Sequence, residues 1–136
     1  MDAPYMLDTD MFSYVVNDRY PGLRRRFATD VKRICISAIT YAEARYGARK
    51  KGSSRLDSLI GMFSELIEIV PWTDADAEAY AYIRDELEKN GTPIGTNDTL
   101  IAATARTRGA ILVTNNTSHF SRVSGLAVEN WIVSDT

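Results

Sequence analysis

Three carboxylates stand where metal chemistry would need them. Asp8 directly follows the apolar run Tyr5–Leu7, which reads as a buried strand. A carboxylate there stands at a strand's carboxyl end, where an open parallel sheet gathers its ligand site. The competing task for Asp8 is to cap the helix that starts at Thr9 or Asp10, and the sequence leaves both roles open. Glu43 shares its helix with Ile39, Ala42 and Tyr46, read as the apolar stripe. At about 100° per residue it lies roughly 40° from Ile39, inside that stripe. A charge on a buried face is costly unless it is paired or binds a metal. A glutamate reaching water at the edge of the face, or paired with Arg45 or Arg49, is the alternative. Asp98 falls in the first turn of the helix after Gly95, roughly 60° from Ile101 on the Ile101/Ala105 side. Negative charge also suits a helix N-terminus, so Asp98 has a structural reading as well. Asn115 and Asn116, after Thr114, stand beyond a further apolar run at 110–113, where a plain polar turn is the alternative.

Carboxylates from three separate elements, brought to one cleft, make the oxygen-rich site that Mg²⁺ or Mn²⁺ prefers. Such a site activates water and neutralises charge on a phosphate during in-line attack, without a side-chain nucleophile. Other catalytic designs are poorly served. His119 is the only histidine and has no serine or cysteine partner in a nucleophile motif. The chain has no P-loop, no dinucleotide-binding glycine fingerprint and no Cys/His cluster for zinc. Its single cysteine, Cys35, lies between Ile34 and Ile36 and reads as a buried structural thiol.

The elements that must position these groups follow from the hydrophobic pattern. Met11, Phe12, Tyr14, Val15 and Val16 suggest a helix after Asp8, and Pro21 opens a second short helix through Phe27. Ile34, Cys35 and Ile36 form a second strand, and Ser37 caps a helix running to about Lys50. Gly52 and Ser53 break it, and Leu56, Leu59, Ile60, Phe63 and Leu66 then keep helical spacing. A third strand at 67–70 is closed by Pro71. Thr73 or Asp74 caps a long helix with Tyr80, Ile83 and Leu87 on its buried face, ended by Asn90 and Gly91. After the loop at Pro93, Ile94 and Gly95 come a helix over 97–108, a strand over 110–113, a short turn around Phe120 and a last strand over 126–128. Strands alternating with helices imply an α/β fold, with a central, mostly parallel sheet of four to five strands flanked by helices on both faces. The length of 136 residues fits one domain spanning 1–136.

Composition is ordinary for a globular chain, with 45% hydrophobic and 25% charged residues. No apolar run approaches the roughly 20 residues needed to span a bilayer, and the opening residues lack a secretory pattern, so the expected compartment is the cytoplasm. A net charge of −2 does not by itself suggest a nucleic-acid binder. The charge is uneven, with 11 Lys/Arg against 7 Asp/Glu over residues 1–60 and 5 against 11 over 61–136. Arg24, Arg25, Arg26, Arg45, Arg49, Lys50, Lys51 and Arg55 form a basic excess that suits phosphates, or simply a solvated helix face.

Four motifs in order sharpen this reading. Met6, Leu7, Asp8 and Thr9 resemble the opening of PIN domains, and the stretch from Ile36 to Glu43 with Tyr46 and Gly47 resembles the second acidic motif of VapC toxins. The stretch from Thr92 to Asp98, with Ile101, Ala102 and Ala103, resembles the third. Leu112 to Asn116, then Phe120, Arg122, Gly125, Leu126, Glu129, Asn130 and Trp131, resemble the C-terminal block. The resemblance covers roughly residues 5–131 and implies a PIN-like fold and a toxic, Mg²⁺- or Mn²⁺-dependent endoribonuclease. Asp8, Glu43 and Asp98 carry over as metal-binding carboxylates. Many PIN domains place a fourth acid where Asn116 stands, so Asn116 enters the catalytic set as an amide. Asp10 departs from the pattern, since VapC sequences often have Asn there; it joins Thr114 and Asn115 as a supporting residue around the metal, or merely caps the helix, and His119 is a loop residue near the site with a structural or surface role. The family also implies a structured RNA substrate such as tRNA, products with a 5′-phosphate and a 3′-hydroxyl, a homodimer, and inhibition by a VapB antitoxin lying in an apolar groove. Met11, Phe12, Tyr14, Val15 and Phe63 are candidates for that groove, with core packing as their alternative. A catalytically weak PIN-fold module that binds nucleic acid or regulates, and a nuclease acting on DNA, are the rival readings.

Overall fold

In the computed structural model, which describes residues 2–132, five short strands form one sheet in which all pairings are parallel. The strands are β1 (Tyr5–Leu7), β2 (Ile34–Ser37), β3 (Glu68–Val70), β4 (Ile111–Val113) and β5 (Ala127–Glu129), ordered β3-β2-β1-β4-β5. The helices are α1 (Thr9–Val16), α2 (Leu23–Asp30), α3 (Ala38–Lys51), α4 (Ser54–Glu65), α5 (Asp74–Lys89), α6 (Thr96–Thr107) and the single turn α7 (Thr117–Phe120). The chain builds outward from β1 through β2 to β3, then crosses to the other side of β1 to add β4 and β5. The strand order therefore reverses between β1 and β4, and the carboxyl ends at such a switch are where open parallel sheets bind ligands.

Strand alternation divides the core into two layers. Tyr5, Leu7, Ile34, Ile36 and Val113 point to the face covered by α1, α2 and α4, packing against Met11, Phe12, Val15, Leu23, Phe27 and Ile60. Met6, Cys35, Val70 and Leu112 point to the face covered by α5 and α6, meeting Ile83, Leu87, Ile101 and Ala105. Both faces are buried, so the strands read as continuous apolar runs and show no polar alternation. Leu112 is fully buried in the second layer. Leu112→Ala is expected to lower stability by about 3 kcal/mol through lost contacts and a residual cavity, measured as a lower urea midpoint with an unchanged slope.

Local chemistry fixes the element ends. The Ser37 side chain accepts from the Thr40 N–H to cap α3, and Thr73 with Asp76 forms a reciprocal capping box at α5. Gly52 ends α3 in the left-handed conformation at φ 63°, which glycine adopts without a side-chain clash. The second helix starts later than the Pro21 signal suggests, at Leu23, and runs to Asp30 before a 3-10 turn at Val31–Arg33. Cys35 is buried as expected, and burial pushes its thiol up to about 12, which makes it unreactive.

One expectation fails in α3. Ala42 and Tyr46 are exposed, Tyr46 by 65%, while Thr40 and Ala48 are buried and Ala44 packs beside them. Thr40, Ala44 and Ala48 are small side chains on the face that α3 turns toward α1 and α4. Glu43 is half-buried at the border of that face instead of within an apolar stripe.

Candidate active site

The carboxyl end of β1 places Asp8 in the middle of the switch point. The Asp8 N–H donates to the carbonyl of Val113 on β4 at 3.0 Å, and Thr114 N–H donates to Glu129 on β5 at 2.9 Å, so the strand pairing continues into the site. Asp8 is 5% exposed. It is the N-cap of α1, its Oδ1 accepting from the Met11 N–H at 2.8 Å. The two roles that the sequence left open are therefore compatible, because one oxygen caps and the other remains for chemistry. Burial pushes the Asp8 carboxyl from 3.8 up to about 6, with the charges of Asp10 and Asp98 adding to the rise; bonds from Thr114 and Met11 oppose it.

Asp98 enters from α6, whose amino end faces the same cleft. It is half-buried, and its carboxyl is also raised, by burial first and further by Glu43 and Asp10, against an opposing effect of His119. Glu43 arrives from α3. Its two oxygens accept from the Thr9 hydroxyl and, at 2.9 Å, from the Asn97 amide, so the residues that follow Asp8 and precede Asp98 hold the third carboxylate. Asp10 is exposed in the first turn of α1, near enough to raise both Asp8 and Asp98.

The supporting residues divide. Thr114 is fully buried, bonds toward Asp8 and accepts the Asn116 N–H at 2.9 Å. Asn115 is exposed and accepts from Asn130 at 3.2 Å, beside the Tyr14 hydroxyl. Asn116 is exposed at the start of α7 and makes no side-chain capping bond; its carbonyl accepts from His119 and Phe120. His119, read from sequence as a loop residue near the site, has its Nε2 at 3.2 Å from Asp98 and 2.8 Å from the carbonyl of Ile94. No local motif marks this contact, because it joins residues from three separate segments.

Four acids thus share one patch of field at the switch point. Among the described residues, no group of three or more His, Cys, Asp or Glu side chains is drawn together tightly enough to cage a metal unaided. Mg²⁺ does not ask for such a cage, since it keeps several waters and takes one or two carboxylates. Hard oxygen donors with excess negative charge, two of them raised by mutual repulsion and burial, fit an octahedral divalent cation with water in its shell. A separate concavity, lined by Lys32, Arg33, Glu65 and Glu68, lies at the amino ends of β2 and β3 and brings together opposite charges instead of carboxylates.

A groove adjoins the acids. Phe12, Val16, Ala44, Leu56 and Ile60 line it between α1, α3 and α4, and Asp10 and Glu43 stand at one end. Of the five groove candidates from sequence, only Phe12 borders it, and Phe12 is as fully buried as the core residues Met11 and Val15; Tyr14 packs edge-on against Tyr20 at 5.1 Å and Phe63 against Phe27 at 5.4 Å.

The comparisons agree with this fold along nearly the whole chain. The chain is 40% identical over 129 residues to ribonuclease VapC2 of Haemophilus influenzae, covering 94% of this chain and 98% of that one. It is 38% identical over 128 residues to the tRNA(fMet)-specific endonuclease VapC of Shigella flexneri, covering 93% and 97%. Among solved structures, VapBC from Salmonella typhimurium bound to DNA superposes with a TM-score of 0.90 at 34% identity, covering 96% of this chain and 99% of that one. VapBC2 of Rickettsia felis, bound to a promoter DNA fragment, gives 0.87 at 36%, covering 93% and 98%. The PIN domain family model matches residues 5–126. With both β1 and β4 inside that match and the VapC relatives aligned over nearly their full length, the chain belongs to the PIN domain family, on its VapC branch.

Proposed function

We propose that the chain is a Mg²⁺- or Mn²⁺-dependent endoribonuclease, the toxin of a toxin–antitoxin pair. The observation that carries this is the meeting of Asp8, Asp98 and Glu43 at the switch point of a chain that aligns along nearly its whole length with named ribonucleases. When bound, the metal supplies an activated water and neutralises charge on the phosphate. Asp8 and Asp98 would hold it. The Met11 N–H and the Thr114 hydroxyl fix the Asp8 carboxylate, and Thr9 and Asn97 fix Glu43 across the cleft, where it orients water through its remaining lone pairs. Asn116 at the rim is suited to a neutral contact with substrate or water, since its amide adds no charge to the site.

A structured RNA is the proposed substrate, because single-stranded loops can be splayed into a cleft, and tRNA(fMet), for which one relative is named, is the first RNA to test. Backbone contacts fall to Arg25, Arg49, Lys50, Lys51 and Arg55, which are exposed. Arg24 and Arg26 are committed to the fold, Arg24 to the carbonyls of Val15 and Val16 and Arg26 to Asp30 and Glu129; Arg45 bonds Asp57. A VapB-type antitoxin is the proposed inhibitor. The groove's apolar lining and acidic end suit an amphipathic segment carrying a basic side chain, and the solved relatives are VapBC complexes. A homodimer is proposed on the family resemblance, to be read by light scattering. No helix among the described residues is long and apolar enough to cross a membrane.

Incubation of purified protein with total RNA and Mn²⁺ or Mg²⁺ is expected to give discrete fragments bearing 5′-phosphates, lost on adding EDTA. A DNA of the same sequence should remain intact; its cleavage would reassign the substrate. A folded protein that binds RNA and leaves it uncut under both metals would favour the binding-module alternative.

A further inference from the structure

The three acids and their immediate neighbours leave one group in the cleft without a task. His119 is the only histidine of the chain, sits in the single turn α7 and is mostly buried, with its side chain 21% exposed. Its Nε2 lies 2.8 Å from the Ile94 carbonyl and 3.2 Å from Asp98 Oδ2. A carbonyl oxygen can only accept, so Nε2 carries the hydrogen and donates. The same hydrogen is shared with Asp98 Oδ2, in a three-centre arrangement that ties the loop before α6, the first turn of α6 and α7 to one ring. The ring itself is held edge-on to Phe120, centroids 5.5 Å apart, and Phe120 is 1% exposed in the second core layer.

We propose that His119 is a positioning residue that anchors Asp98 by one oxygen, leaving Oδ1 alone to meet a divalent cation. This rests on the metal-nuclease reading. It follows from geometry. The donor is fixed to a backbone carbonyl on one side and to a core aromatic on the other, so it does not move with the carboxylate. A carboxylate whose Oδ2 already accepts a hydrogen bond is biased toward offering Oδ1, and Mg²⁺ keeps several waters and takes one or two carboxylates. Partners that orient a metal ligand in this way typically contribute about 10- to 100-fold to metal affinity. His119 Nε2, already donating, is itself unavailable as a ligand.

Direct Mn²⁺ binding, followed by the loss of the free-ion electron paramagnetic resonance signal, tests this without reference to cleavage. His119→Asn removes the far donor, whereas His119→Gln places an amide N–H near the Nε2 position. The expected result is a Kd about 10-fold weaker for His119→Asn, with His119→Gln restoring most of it and thermal midpoints of the two metal-free variants close together. Equal Mn²⁺ affinity for wild type, His119→Asn and His119→Gln would overturn the role of His119. If His119→Asn and His119→Gln weaken binding alike while both remain folded, packing of the ring is what matters and the anchoring role is likewise overturned. Asp98→Asn runs beside them. Wild type that binds and Asp98→Asn that does not keep the metal site standing whatever His119 does, and a wild type that binds no Mn²⁺ removes both readings together.

Discussion

Asp8→Asn is expected to abolish metal-dependent RNA cleavage and, at the same time, to make the metal-free protein more stable. The two effects share one cause. Asp8 is 5% exposed beside Asp10 and Asp98, and burial raises its carboxyl from 3.8 to about 6. The folded protein therefore holds a proton up to about pH 6 that the unfolded chain releases near 3.8. Between these values the native state binds more protons than the unfolded one, so the contribution of Asp8 to stability falls as pH rises and is fully unfavourable above about 6. At pH 7 this amounts to about 3 kcal/mol. Asparagine keeps the shape and the capping of α1, since Asn and Asp are comparable N-caps, and carries no charge. Urea unfolding at pH 7 without metal should place Asp8→Asn about 2–3 kcal/mol above wild type. The gap should shrink toward zero by pH 4, where the wild-type group is protonated in the native state. Cleavage should fall about a thousandfold, the scale of losing several kcal/mol of metal-supplied stabilisation. A variant that is both less stable and less active would point to simple structural damage.

The same proton should govern metal affinity with the opposite sign. A cation needs the ionised carboxylate, so Mn²⁺ binding is expected to weaken about tenfold between pH 7 and pH 5 as Asp8 takes up its proton. At limiting Mn²⁺ the cleavage rate should follow this loss, and added Mn²⁺ should restore it at pH 5. Isothermal titration at both pH values reads the affinity and the protons released. An affinity independent of pH over this window would show that Asp8 is not a ligand. Excess metal should also reverse the stability effect, raising the wild-type melting temperature at pH 7 by mass action and leaving that of Asp8→Asn nearly unchanged.

The fold was legible where burial is complete on both sides. Tyr5–Leu7, Ile34–Ser37 and Ile111–Val113 are apolar without interruption, as central parallel strands must be, and each is a strand within a residue of its expected bounds. At the sheet edge the signal weakens, and the last strand is Ala127–Glu129, one residue beyond the expected span. In α3 it misleads, because contact with α1 and α4 selects Thr40, Ala44 and Ala48 for smallness, leaving Ala42 and Tyr46 apolar but outside. Position marked Asp8, after a strand, and Asp98, at a helix start, as candidates with a capping or helix-dipole role open beside each, and the family motifs selected them. The grip of Thr9 and Asn97 on Glu43, and of His119 on Asp98, spans 34, 54 and 21 residues. Tertiary contacts of this range leave no periodic trace in a sequence.

The position of β1 in the sheet has a consequence for synthesis of the chain. β1 precedes the other four strands, yet it pairs on one edge with β2 and on the other with the much later β4, whose Ile111 stands opposite Tyr5. Until Ile111–Val113 emerges, the carboxyl end of β1 lacks the neighbour that receives the Asp8 N–H, and Thr114 and α7 are not yet made. Asp8 and Glu43 are therefore made long before the site can close, and Asp98 only shortly before β4. Strand order thus makes completion of the site wait for β4, whatever carboxylates have already emerged.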